Sequence, residues 1–145
     1  MPNLLLINLG TPENADTAAV RTYLREFLID PYVIDIPDIQ RWILVNLIIA
    51  PFRAFGSAKK YQKVWTEEGS PLLVHSQNLC EKVRTAFGND WQVELGMRYG
   101  EPSIHSALKR FPKEQALIVL PLYPQYANAS TRTAIEKLQT EAKNM

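Results

Sequence analysis

A chain of 145 residues, 46% hydrophobic and 21% charged, holds enough apolar material for one compact domain and excludes a disordered chain. Sixteen Lys+Arg against fifteen Asp+Glu leave a net charge of +1, which gives no support to nucleic acid as a partner, since that calls for a basic stripe. The single cysteine, Cys80, cannot close an internal disulfide, and the first apolar run is too short for a signal core and has no basic segment ahead of it; the expectation is a cytoplasmic protein.

In chain order, residues 4–9 (LLLINL) form a short continuous apolar run of the kind a strand covered on both faces needs, ending in Gly10, Thr11 and Pro12. Asp16 is a good N-cap, and Val20, Tyr23, Leu24, Phe27 and Leu28 follow at helical spacing until Pro31 forbids continuation. Residues 32–36 look extended. Asp38 is placed to cap a second helix ending at Pro51, apolar nearly all round and too short to span a bilayer; a buried or packed helix is the expectation, a greasy lip against a membrane or apolar ligand the alternative. A third helix covers 57–65. Ser70-Pro71 starts a fourth, with Leu72, Leu79, Val83 and Phe87 on its core face and Gly88 closing it. A second strand runs from Trp91 to Leu95, Ser103 caps a short helix, a third strand covers 117–120, and a last helix from about Thr131 carries Ile135, Leu138 and Ala142. Strands alternating with helices imply an α/β fold with a parallel sheet flanked by helices, a Rossmann-like half. Three strands make a small sheet with an edge lacking a partner, which marks an incomplete domain or pairing with another chain.

All three strand runs lead into loops rich in Gly, Pro and Tyr. In a parallel sheet those loops share one edge, where open α/β folds bind ligands. Gly10-Thr11-Pro12 lacks the spaced glycines of a dinucleotide site; it reads either as an ordinary tight turn or as a place for close backbone approach to a ligand. His75 and His105 have no partner at metal-ligand spacing, and Cys80 reads as a small apolar filler. Arg98 and Tyr99 stand where the second strand leaves the sheet. A guanidinium there can grip a carboxylate, and Tyr99, Tyr123 and Tyr126 offer flat apolar faces; such a set suits a flat ligand with acidic arms. The rival reading pairs Arg98 with a local carboxylate and leaves the tyrosines capping the core.

Four segments at these residues resemble the N-terminal half of the ferrochelatase family, the enzymes that insert ferrous iron into a porphyrin: Asn8-Leu9-Gly10-Thr11-Pro12, Gly69-Ser70-Pro71-Leu72, Gly96-Met97-Arg98-Tyr99-Gly100 with Pro102-Ser103, and Leu122-Tyr123-Pro124-Gln125-Tyr126. They stand in the family's order and cover essentially the whole chain, though only about the first half of the family's length. The resemblance implies a chelatase-like α/β domain over 1–145, one wall of a porphyrin cleft, with the C-terminal domain absent. It implies that Leu9 faces the macrocycle, that Arg53, Tyr61 and Ser70 hold or approach propionates, and that Arg98, Tyr99 and Tyr123 line the inner pocket. Tyr23, Leu24, Phe27 and Leu28, with the greasy segment after them, would form the cleft's lip and allow peripheral membrane contact. No metal ligand or catalytic residue is expected here, because the family's metal-handling histidine and its partner glutamate lie in the second half; porphyrin and ferrous iron enter as substrates, with no resident cofactor. The isolated chain is therefore expected to be inactive. A non-catalytic tetrapyrrole-binding or interaction module, and a chelatase for another metal, are the alternatives. Ala127 stands where many relatives have serine, which weakens a hydroxyl contact at that point.

Overall fold

The structure, a computed structural model, describes residues 2–144. Three parallel strands, β1 (Asn3–Gly10), β2 (Gln92–Tyr99) and β3 (Leu117–Pro121), pair in the order β2-β1-β3. β1 is central, so its unbroken apolar run is covered on both faces. Leu4 and Leu6 share one face with Val93, Leu95 and Met97 under helix α4 (Pro71–Phe87). Leu5 and Ile7 face the other way, onto Ile104, Ala107 and Leu108 of α5 (Ile104–Leu108) and Ala134 of α6 (Thr133–Lys143).

Helix α1 (Thr17–Leu28) starts as expected, with Asp16 Oδ1 accepting from the Ala19 amide at 2.8 Å. Residues 32–36 are a turn rather than extended. Asp30 folds them back: its side chain accepts from the Tyr32 amide (2.8 Å) and its carbonyl from those of Val33 and Ile34 (3.0 and 3.1 Å).

Residues 38–64 then run as one helical stretch, where the sequence suggested two helices parted at Pro51. Its parts are α2 (Asp38–Ile43), a wide π-turn (Leu44–Ile49) and α3 (Ala50–Val64). Within the wide turn the Ala50 amide bonds Val45 O, five residues back. That extra residue displaces the carbonyl that the Pro51 ring would otherwise strike, so the helix continues through the proline. Asp38 does not cap; Pro37 holds that position and Asp38 pairs with Arg41, whose buried guanidinium also donates to Ile29 O (2.8 Å) and Ile36 O (2.6 Å).

The expectation of a buried helix in this stretch is overturned. Its inward stripe is small, Val45, Ala50, Ala54 and Ala58, while Ile39, Trp42, Leu47, Ile48, Phe52 and Phe55 face solvent, Phe52 at 80% exposure. The alanine spacing explains this: small residues four apart bring α3 close against α1 and leave the large side chains outside.

Two further faces turn out rotated. On α4 the sheet side carries Leu73, Ser76, Cys80 and Val83, while Leu72, Leu79 and Phe87 are exposed. The register is pinned by Ser76, whose Oγ accepts from Asn8 Nδ2 at 3.0 Å and donates to Leu72 O at 2.7 Å. On α6, Thr133, Ala134 and Leu138 face inward and Ala142 is exposed. Of the sheet edges, β2 is shielded: Arg84 Nε donates to Val93 O (2.7 Å), and Arg84 and Arg110 both bind Glu94 (3.2 and 3.0 Å). β3 leaves Ile118 and Leu120 half exposed. Among the described residues no helix is long and apolar enough to cross a membrane.

Candidate functional site

Parallel pairing fixes what meets at the carboxyl ends of the strands. Asn8 pairs with Met97 and Gly10 with Tyr99, so Leu9 stands level with Arg98. Ile7 pairs with Pro121 and accepts from the Leu122 amide at 2.7 Å, so Tyr123 continues the same row. Alternation assigns Arg98, Leu9 and Tyr123 to the face of Leu5 and Ile7. The three come together as one row across the end of the sheet.

The β1 loop is held by its own contacts. Gly10 has φ +116°, and an added Cβ would fall against the Tyr99 carbonyl, with the carbonyl carbon at 2.8 Å. The close approach that glycine permits is therefore strand to strand rather than strand to ligand. Thr11 Oγ1 donates to Ser70 Oγ at 2.7 Å, and Ser70, at the N-cap of α4, is buried and makes no side-chain cap bond. Beyond the ends of β1 and β2 lies a hollow of about 350 Å³, lined by Thr11, Pro12, Tyr23, Glu26, Leu73 and Gly100 among others.

Beneath the row lies a buried polar cluster centred on Asp30. Its Oδ2 accepts from Arg98 Nη2 (2.7 Å), from the Tyr99 hydroxyl (2.7 Å) and from the Thr133 hydroxyl. Arg98 Nε donates to Thr133 Oγ1 at 2.8 Å, and the guanidinium lies over the Tyr99 ring, 4.4 Å from its centre. Burial alone would push the Asp30 carboxyl up, but the hydrogen bonds from Thr133, Tyr99 and the Tyr32 amide, with the Arg98 charge, hold it below the usual carboxylate value. Burial, then the bond to Asp30, pushes the Tyr99 hydroxyl well above the usual tyrosine range.

This arrangement realises the rival reading of Arg98, which pairs with a local carboxylate. It also moves Tyr99 off the surface: the side chain is fully buried, its hydroxyl drawn inward by Asp30 and its ring packed edge-on to Phe27 at 5.1 Å. Tyr123 is half-buried against the Leu5–Ile7 cluster, its hydroxyl pushed up to about 12 by burial and without a hydrogen-bond partner among the described residues.

Of the lip expected from α1 and the greasy segment after it, the α1 residues are turned inward. Tyr23 is buried, donates to Gly10 O at 3.2 Å, stacks on Phe27 at 5.9 Å and meets Tyr61 edge-on at 6.5 Å. Leu24, Phe27 and Leu28 are half-buried. This stack fills the seam between α1 and α3, and the exposed apolar surface comes from the segment after it, residues 39–55. Arg53 is exposed on that surface between Phe52 and Phe55; Tyr61 is half-buried, its hydroxyl pushed up by burial. Of the histidines, His75 is exposed and His105 Nδ1 meets Glu141 at 2.8 Å. Asp30 and Thr133 carried no motif in the sequence.

The family model described as Ferrochelatase matches residues 2–145. The chain belongs to the ferrochelatase family. It is 56% identical over 143 residues to a ferrochelatase of Coxiella burnetii (strain Dugway 5J108-111), which covers 97% of this chain and 40% of that protein. It is 57% identical over 134 residues to a ferrochelatase of Legionella pneumophila (strain Corby), covering 92% of this chain and 40% of the relative. The chain thus spans about two fifths of the length of the curated ferrochelatases it matches. Among its described residues no group of three or more His, Cys, Asp or Glu side chains could hold a metal ion.

Proposed function

We propose that this chain forms one wall of the porphyrin cleft of a ferrochelatase, an enzyme inserting ferrous iron into a porphyrin of the protoporphyrin type in haem biosynthesis. The observation that carries the reading is the row of Arg98, Leu9 and Tyr123 across the strand ends of a chain in this family. Leu9 and the Tyr123 ring offer apolar surface to the macrocycle. Arg98, Ser70, Tyr61 and Arg53 are the groups proposed to hold or approach its carboxylates, and Tyr99 supports Arg98 from beneath. The exposed surface from Ile39 to Phe55 is the proposed lip, giving a cytoplasmic protein peripheral contact with a membrane.

Metal insertion releases two pyrrole protons, which needs a base within hydrogen-bond reach of the ring. It also needs the macrocycle bent so that its nitrogen lone pairs point outward, and a wall fitting the bent form better than the flat one lowers the barrier. Among the described residues neither histidine stands in the row to serve as that base: His105 is bound to Glu141, and His75 is exposed on α4. The expected behaviour is saturable porphyrin binding without turnover. Titration with deuteroporphyrin, followed by its Soret band, checks the first, and ferrous iron consumption checks the second. A chain that leaves the Soret spectrum unchanged, or that turns over iron steadily alone, contradicts the reading.

A further inference from the structure

We propose that Asp30 is a positioning residue for the porphyrin wall: it fixes the Arg98 guanidinium so that one edge is left to meet a carboxylate of the ligand. The proposal rests on the porphyrin-wall reading above. Asp30 is 4% exposed and takes donors from two distant parts of the chain, the end of β2 and the start of α6. Through Arg98 it holds a side chain with four rotatable torsions. Nη2 is bound to Asp30 and Nε to Thr133, while the ring of Tyr99 supports the guanidinium plane. That leaves Nη1 as the guanidinium nitrogen with no hydrogen bond to a described residue, on a side chain 15% exposed in the row with Leu9 and Tyr123.

An arginine held this way has lost its rotamer freedom before the ligand arrives, so the ordering cost of binding is already met. Removing the Asp30 charge has two opposing effects. The unpaired guanidinium attracts a carboxylate more strongly, but an uncompensated charge in a mostly buried site is driven out to water. With the side chain so largely enclosed, the second effect dominates, and the aligned edge is lost.

The test uses this chain, with deuteroporphyrin IX and its dimethyl ester as probes, equal in ring and different in carboxylate. Wild type is expected to bind the free acid at least tenfold more tightly than the diester. Asp30→Asn is expected to lower affinity for the acid about tenfold and leave the diester within twofold. Thr133→Val loosens the same guanidinium without changing the net charge, and should lower acid affinity about threefold. Circular dichroism melting identifies which variants fold. Equal weakening of acid and diester, tighter acid binding by Asp30→Asn, or no preference for the acid in wild type overturns the positioning role while leaving the porphyrin wall standing. If neither variant folds, Asp30 is a folding element and the proposal is wrong. Binding of neither probe by wild type sinks the porphyrin wall itself.

Discussion

Replacing Gly10 by alanine tests the strand-end geometry on which the row of Arg98, Leu9 and Tyr123 depends. Gly10 sits at φ +116°, a region costing about 1–3 kcal/mol for a residue with a side chain. The new methyl would also lie 2.8 Å from the Tyr99 carbonyl carbon and 3.1 Å from its amide nitrogen, where ordinary contact begins at 3.4 Å. Both partners are backbone, so no rotamer change relieves the clash and the ends of β1 and β2 must part. Their separation breaks pairing between Gly10 and Tyr99, worth about 1 kcal/mol for each hydrogen bond lost. Together these give a destabilisation of about 3–5 kcal/mol, a large share of the stability of a single domain. At about 2–4 °C per kcal/mol for a chain of this size, the melting temperature falls by about 10 °C. Gly56→Ala is the matched control. It lies inside α3 with nothing within 4 Å of the added carbon, so it should gain about 0.5–1 kcal/mol and melt slightly higher. Thermal unfolding by far-UV circular dichroism measures both. A Gly10→Ala protein melting within about 2 °C of wild type refutes the close approach of the two strands.

Acid should unfold the protein partly through Asp30. Its folded-state value lies below that of an unfolded aspartate, so its contribution is complete above about pH 4 and is lost as pH falls further through the folded value. Urea unfolding between pH 2 and 6 should show stability falling more steeply below pH 4 in wild type than in Asp30→Asn; parallel curves would falsify the assignment. On the helical surface, Ile39→Gln and Phe52→Gln should change stability by less than about 0.5 kcal/mol, because these side chains are 76% and 80% exposed. The pair should also reduce binding of a hydrophobic dye, and a melting temperature lowered by several degrees would show that the surface is packed after all.

The parts of the fold legible in the sequence are those whose cause is local. Continuous apolar runs at residues 4–7 and 117–120 and an alternating one at 91–95 marked the three strands, and side-chain caps at Asp16 and Ser103 marked two helix starts, since each partner lies three residues on. What escaped was set by distant partners. Asp30 meets Arg98, Tyr99 and Thr133 across separations of 68 to 103 residues, and no spacing in a single sequence announces that. Periodicity points to the wrong face of α4 because it counts only apolar residues, whereas the register is set by a polar link between Ser76 and Asn8. The stripe on α3 is hidden from periodicity for the opposite reason. Alanines are weak hydrophobic signals, yet their small size lets two helices approach, and here that outweighs the large residues beside them.

That inversion on α3 bears on how the proposed porphyrin wall would work. Burying a side chain such as Phe52 or Ile39 contributes about 1.5–3 kcal/mol, and the chain leaves several such residues in water. An apolar surface of this kind suits a partner or ligand better than it suits the isolated chain. The sheet side of the row is built in the opposite way, with Leu9 beside an arginine clamped by a buried carboxylate and a threonine hydroxyl. A wall meant only to hold a flat ring could be soft throughout. One that favours a bent ring over a flat one must resist being reshaped by the ligand, because a compliant surface binds both forms equally and accelerates nothing. In the proposed porphyrin wall, Asp30 would supply that resistance on the sheet side, while the outward residues of α2 and α3 would supply apolar area without constraining the geometry.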